Sequence, residues 1–173
     1  MRRIEIIDLL IKLNLKENII NHVIAVEKLS LDIANKIINN NSDIKIDLKL
    51  LSDGALLHDI GRTVTHSIAH AVEGVKIAKK YNFNDKVLSI IENHIGAGIA
   101  KEEAKKLGLP VKDYFPETIE EKIVANADNL LAGDKKTSIN GLYNKLLSQN
   151  NKDAAKRVMK LYDEISNLAG VKL

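Results

Sequence analysis

Hydrophobic positions along the chain recur at intervals of three and four, the spacing of one helix face. Val26, Leu29, Ile33 and Ile37 make one such stripe, Leu48, Leu51 and Ala55 another, and Val87, Ile90 and Ile91 a third. The pattern predicts helices at about 2–12, 16–40, 47–60, 66–81, 85–95, 119–132, 138–149 and 152–169. Asp47 and Asn84 stand where N-caps belong, Thr118-Ile-Glu-Glu121 reads as a capping box, and Gly61 and the glycines after His94 read as stops. The stretch 105–117, "KKLGLPVKDYFPE", holds both prolines and reads as a surface loop. Strand-like alternation is scarce, and "DIKID" is too short to carry a strand. The expectation is an all-α helical bundle forming one domain over residues 1–173.

Several polar residues interrupt these apolar faces. His58 is the next step of the Leu48, Leu51, Ala55 stripe, and His22 is the step before Val26. His94 follows Val87, Ile90 and Ile91; Asp128 falls between Val124 and Leu131; His70 shares a face with Gly74 and Ile77. Each such group costs several kcal/mol to bury without a partner. One alone is best read as a hydrogen-bonded core histidine. Five of them on separate helices compensate one another if they converge on cations, and imidazole with carboxylate suits Zn, Mn, Fe, Co or Ni. Asp59 directly follows His58. Neighbouring helical residues point about 100° apart, so the two grip a cation only from the side, with the carboxylate free to bridge to a second.

Composition narrows the chemistry. Cysteine is absent, so neither a disulfide framework nor a thiolate zinc site exists. Aromatics are only 3% of residues, which argues against stacking platforms for single-stranded nucleic acid. The net charge of +3 is spread among interleaved lysines and acids, so nucleic acid is not indicated as a partner while a small anionic substrate is compatible. No apolar run is long enough to span a membrane and no signal-peptide pattern opens the chain, so a cytoplasmic location is expected. Self-association is left open.

At the same residues the sequence resembles the HD superfamily of metal-dependent phosphohydrolases, named for an adjacent His-Asp pair. "NHVIAVEKLSLDIA" resembles the family's first histidine helix, "GALLHDIGR" its defining motif, "HAVEGVKIA" and "IIENHIGAG" its further histidine segments, and "EEKIVANADNLLAG" its closing aspartate motif. Order and spacing agree over about 22–133, and the nearest likeness is to a small archaeal HDIG family. The motif-bearing part is about 16–133, with helices over about 138–169 completing the bundle.

The resemblance implies that His22, His58, Asp59 and Asp128 hold one metal, and that Asp59 bridges to a second held by His70 and His94. His66, one helical turn before His70 on the expected helix, competes for the last role. One or two divalent ions (Fe, Mn, Ni, Co or Zn) would serve phosphoester or phosphoanhydride hydrolysis through a metal-activated hydroxide, with Asp59 as the central catalytic carboxylate. The substrate expected is a small phosphorylated molecule of the nucleotide kind. Arg62 offers a fork matched to phosphate oxygens, with His66 beside it as a second substrate contact. Lys135, Lys136 and the Gly96–Gly98 stretch are weaker candidates for the same work. The rival reading is a nucleotide-sensing module of the same fold that keeps metal but turns over little.

Overall fold

The computed structural model describes residues 1–173. Its elements in order are α1 (Arg3–Lys12), α2 (Glu17–Asn40), α3 (Leu48–Leu57), a 3-10 turn (Ile60–Thr63), α4 (His70–Lys80), α5 (Asp85–Asn93), α6 (Lys101–Lys106), α7 (Ile119–Asn129), a two-strand hairpin of β1 (Leu131–Ala132) and β2 (Lys135–Lys136), α8 (Ile139–Ser148) and α9 (Lys152–Ala169). The fold is all-α apart from that hairpin.

The long helix α2 is the spine. Its stripe of Ile19, Val23, Val26, Ile33, Ala34 and Ile37 is buried and packs against α3, α7 and α9. Leu51, Leu56, Leu57, Ile90, Ile91 and Ile123 fill the same core from α3, α5 and α7. Each large aliphatic side chain removed from water contributes about 1.5–3 kcal/mol. A second small core, Leu130, Ile139, Val158 and Tyr162, seats α8 and α9. A third, Ile99, Ala104, Leu109 and Tyr114, holds the segment after α5, where Ile99 and Tyr114 exchange backbone hydrogen bonds of 3.1 and 2.9 Å.

Side-chain caps start α3, α5, α7, α8 and α9: Asp47, Asn84, Thr118, Ser138 and Asn151 each accept from a backbone N–H of the first turn.

The structure corrects four sequence expectations. The helix expected at 66–81 begins only at His70, because hydroxyls take over the preceding turn. Thr65 Oγ1 accepts from Ser67 N–H at 3.2 Å and Ser67 Oγ from Ala69 N–H at 3.3 Å, so side chains compete with the helical ladder. The helix expected to run to residue 60 ends at Leu57, and the chain then tightens into the 3-10 turn. The loop expected over 105–117 starts inside α6, a short helix with Glu103 turned back onto the Ala100 N–H at 2.8 Å. The helix expected to reach 132 ends at Asn129, and the β1–β2 hairpin follows it. Leu131 pairs with Lys136 and Ala132 with Lys135 around a Gly133-Asp134 turn, with Gly133 at a φ of 64°. Two-residue hairpin turns of this kind favour residues that adopt positive φ, which Gly supplies without strain.

The expected site residues collect at one end of this bundle. His58 caps the end of α3, Asp59 opens the 3-10 turn, His70 is the first residue of α4, His94 caps the end of α5, and Asp128 is in the last turn of α7. His22 comes from the second turn of α2.

Candidate metal centre

The break in the helix after Leu57 explains how two adjacent residues serve one site. His58 keeps helical angles, but Asp59 departs to φ −100°, ψ 12°, which swings its carboxylate back towards the histidines. Gly61 lets this turn lie against α4: a Cβ there would stand 1.9 Å from the His70 carbonyl oxygen and 2.6 Å from the Gly74 nitrogen. The glycine is required by close backbone approach, which carries His70 into the site.

Four of the chain's five histidines share one arrangement. Nδ1 of His58 donates to the Ala55 carbonyl, Nδ1 of His70 to Ser67 and Nδ1 of His94 to Ile91, each at 2.7 Å. Nδ1 of His22 donates to the Gly133 carbonyl, also at 2.7 Å. A carbonyl only accepts, so each Nδ1 carries a proton, and Nε2 is the nitrogen that offers a lone pair whenever the ring is neutral. Those four Nε2 atoms face two carboxylates.

Asp59 sits between them. Its Oδ1 is 3.1 Å from His70 Nε2 and 3.7 Å from His94 Nε2. Its Oδ2 is 3.9 Å from both His22 Nε2 and His58 Nε2. Asp128 Oδ1 lies 3.0 Å from His22 Nε2 and 3.7 Å from His58 Nε2. The Nε2 atoms of His70 and His94 stand 3.1 Å apart. Two groups of ligand atoms gather within 4.8 Å: His22, His58 and Asp128, and His58, Asp59 and His94.

The donor set fits divalent cations. His58 Nε2 and Asp59 Oδ1 are buried without a hydrogen-bond partner of good geometry, an expensive condition that a bound cation relieves. Carbonyls holding Nδ1 are the usual outer support of metal-binding histidines. Burial opposes charge on His58, but the carboxylates of Asp59 and Asp128 outweigh it and push its pKa up to about 9. Burial, reinforced by the charge on His58, pushes His94 down to about 3. Burial also works against both carboxylates, yet the surrounding imidazoles hold Asp59 and Asp128 well below the usual carboxylate range, Arg62 helping at Asp59.

His66 stays out of the cluster. It is exposed and lines a cleft of about 450 Å³ that opens over Asp59, His22 and Asp128, with Lys16, Asn18, Ile19, Arg62 and Gly133 completing the walls. Because α4 starts at His70, His66 and His70 are not one helical turn apart, and only His70 points among the other imidazoles. Arg62 lines the same cleft but is engaged: its Nε donates to Asp59 Oδ2 at 2.6 Å. Lys135 and Lys136 are exposed on β2, next to the turn whose Gly133 carbonyl anchors His22. In the Gly96–Gly98 stretch, the Gly96 carbonyl accepts from Asn129 Nδ2 at 2.8 Å, a contact that ties this turn to α7.

Sequence reasoning missed Lys16, Asn18 and the Gly133 carbonyl. The Gly-Asp pair after Ala132 was the available signal for a hairpin.

No helix is long and apolar enough to cross a membrane. Residues 19–133 match the family described as HD domain. The chain is 49% identical over 157 residues to a tRNA (cytidine(56)-2'-O)-methyltransferase of Picrophilus torridus, covering 91% of this chain and 44% of the relative. It is 46% identical over 154 residues to an uncharacterized protein of Methanocaldococcus jannaschii, covering 88% of this chain and 90% of that one. A Ribonuclease Y of Syntrophomonas wolfei is 31% identical over 118 residues, 67% of this chain and 18% of the relative. The chain thus spans less than half the length of the methyltransferase relative and most of the Methanocaldococcus one. No solved structure matches. With its motif histidines and aspartates gathered at one end of an all-α bundle, the chain belongs to the HD domain family.

Proposed function

We propose that the protein is a metal-dependent phosphohydrolase acting on a nucleotide or another small phosphoester or phosphoanhydride. The observation that carries this reading is the split of Asp59: Oδ2 faces His22 and His58, and Oδ1 faces His70 and His94. One carboxylate with an oxygen towards each histidine pair is suited to bridge two cations. His22, His58, Asp59 and Asp128 would hold one, and Asp59, His70 and His94 the other, drawn from Fe, Mn, Co, Ni or Zn. Such ions supply Lewis acidity and an activated water for attack at phosphorus.

The chain's own groups do the rest. The buried side of the cluster excludes water and keeps the imidazoles in one tautomer. Arg62 and His66 stand on the cleft wall where phosphate oxygens would arrive, and Arg62 exchanges its Asp59 partner for phosphate once cations neutralise that carboxylate. The Ribonuclease Y relative is named for cleavage of phosphodiesters in RNA, which is chemistry of the same class. Methyl transfer is named for a relative more than twice the matched length, and a segment of this size makes up most of the Methanocaldococcus protein. We assign methyl transfer to the remainder of that relative.

The test is elemental analysis of purified protein, then a phosphate-release screen over nucleotides after reconstitution with each metal. Two ions per chain and turnover of at least one nucleotide are expected. Tight nucleotide binding with no turnover under any metal would replace this reading with the sensing one. His70→Ala should cost one metal ion, whereas His66→Ala should keep both and raise KM.

A further inference from the structure

Asn129 is the last residue of α7, only 8% exposed, and directly follows the site carboxylate Asp128. An asparagine at a helix end commonly serves as a left-handed cap. Asn129 does not: its φ is not positive, and Leu130 follows it as the C-cap at φ −91°. Its side chain serves a contact elsewhere, as a buried amide must to avoid destabilising the fold. Nδ2 donates to the Gly96 carbonyl at 2.8 Å, across 33 residues of chain.

That carbonyl belongs to the turn that ends α5. His94 is two residues earlier, and the turn itself, Gly96 at φ 60°, Ala97 and Gly98 at φ 94°, carries no polar side chain of its own. Its far end is held by close packing: a Cβ on Gly98 would stand 2.4 Å from Phe115 Cδ1 and 2.7 Å from the Tyr114 carbonyl oxygen. Its near end, beside His94, receives the hydrogen bond from Asn129. Neighbouring residues of a helix point about 100° apart, so Asp128 faces the imidazoles while Asn129 reaches sideways to the turn. One buried amide thus joins the segment that carries His94 to the helix that carries Asp128.

We propose that Asn129 is a positioning residue, which fixes His94 against Asp128 and so sets the spacing of the two ions. This rests on the two-ion reading of the site but not on what the protein hydrolyses. Paired ions that act together stand about 3.5–4 Å apart, and their ligands must be held to within about 0.5 Å. His94 and Asp128 come from the ends of different helices, so hydrogen bonds within one segment cannot set the distance between them. The Nδ1 bond to the Ile91 carbonyl orients the His94 ring within α5, and Asn129 holds that helix end against α7. The ion assigned to Asp59, His70 and His94, the inner of the two, has fewer protein ligands than the outer. A shift of His94 therefore weakens the inner ion.

Calorimetric titration of the metal-free full chain with Co2+ tests this, the inner step being the one that His70→Ala removes. Asn129→Leu keeps the volume but deletes the amide, and Asn129→Ala deletes it without adding apolar bulk. Each should weaken the inner step about tenfold, the low end for losing an outer support, and leave the outer step within about twofold. Asn129→Gln, which keeps an amide donor, should recover the inner step to within about threefold. The proposal is overturned if both deletions leave the inner step unchanged, if the two steps weaken equally, or if Asn129→Gln behaves as Asn129→Leu does. Binding of a single Co2+ by the unaltered protein would overturn the two-ion reading and this role with it. Two ions and a selective loss, with no phosphate substrate turned over, would keep Asn129 in its role and remove the hydrolase reading.

Discussion

The two halves of the metal centre are built differently. The inner half, His58, His70 and His94, takes every Nδ1 contact from a carbonyl three residues earlier in its own chain segment. Its side chains are 0 to 5% exposed. The outer half, His22 and Asp128, is 15% and 25% exposed, and His22 is steadied across 111 residues by a carbonyl in the β1–β2 turn. Local anchoring makes the inner half as rigid as the helix ends that carry it. Remote anchoring makes the outer half only as rigid as a short surface hairpin. The inner half is therefore prebuilt and dry, and the outer half is where substrate and solvent meet the ions.

Asp59 belongs to both halves, and its loss should have the largest effect. Asp59→Asn keeps the shape but deletes the charge that offsets repulsion between two cations. Metal content should fall from two ions to one or none, and turnover by more than a hundredfold, with little change in helix content by circular dichroism. A variant that kept its metals and its rate would remove the bridge from the mechanism.

The next effect separates the halves themselves. Metal loss from His94→Ala should include a folding penalty, because it opens a cavity beside Ile91 in a buried helix end. His22→Ala removes a direct ligand and should cost most of the affinity for the ion it would share with His58, Asp59 and Asp128, with thermal stability nearly unchanged. Metal titration together with thermal melts of both variants checks the contrast, and equal melting temperatures would show that the two halves do not differ.

Much of this was legible in the sequence, for identifiable reasons. His22, His58, His94 and Asp128 stand on apolar stripes, and periodicity exposes a polar residue on such a face. What periodicity cannot show is where a helix is replaced by side-chain hydrogen bonding. The Thr65–Ser67 turn moved the start of α4 and settled the placement of His66 and His70. Nor does it show contacts between distant segments. Gly133 supports His22 only because the fold brings the end of α7 beside the start of α2.

Proton release offers a smaller, sharper measure of the inner half. In the metal-free protein His58 is held charged at neutral pH by Asp59 and Asp128, with its pKa pushed up to about 9. His94, pushed down to about 3, is already neutral. A cation binds neutral imidazole, so loading at pH 7.5 should release about one proton per chain from this pair. The sign follows directly: release should fade as pH rises through 9, where His58 has already lost its proton. An indicator-dye titration across that range checks it, and His58→Ala should release about one proton fewer.

The smallest effect expected is also the one that isolates remote anchoring. Gly133 has a φ of 64°, and a Cβ there would meet nothing within 4 Å. Gly133→Val therefore strains only the turn, by about 1–2 kcal/mol in this left-handed region. The hairpin can relieve that strain by shifting, since only two residues of each strand pair. Any shift moves the carbonyl that holds His22 Nδ1 and leaves the Ala55, Ser67 and Ile91 carbonyls in place. Metal held by the outer half should weaken severalfold while the inner ion keeps its affinity, read as one changed step in a two-step calorimetric titration. Equal weakening of both steps would mean that the hairpin supports the whole centre. No weakening at all would mean that His22 is oriented by its own helix, as the inner histidines are by theirs.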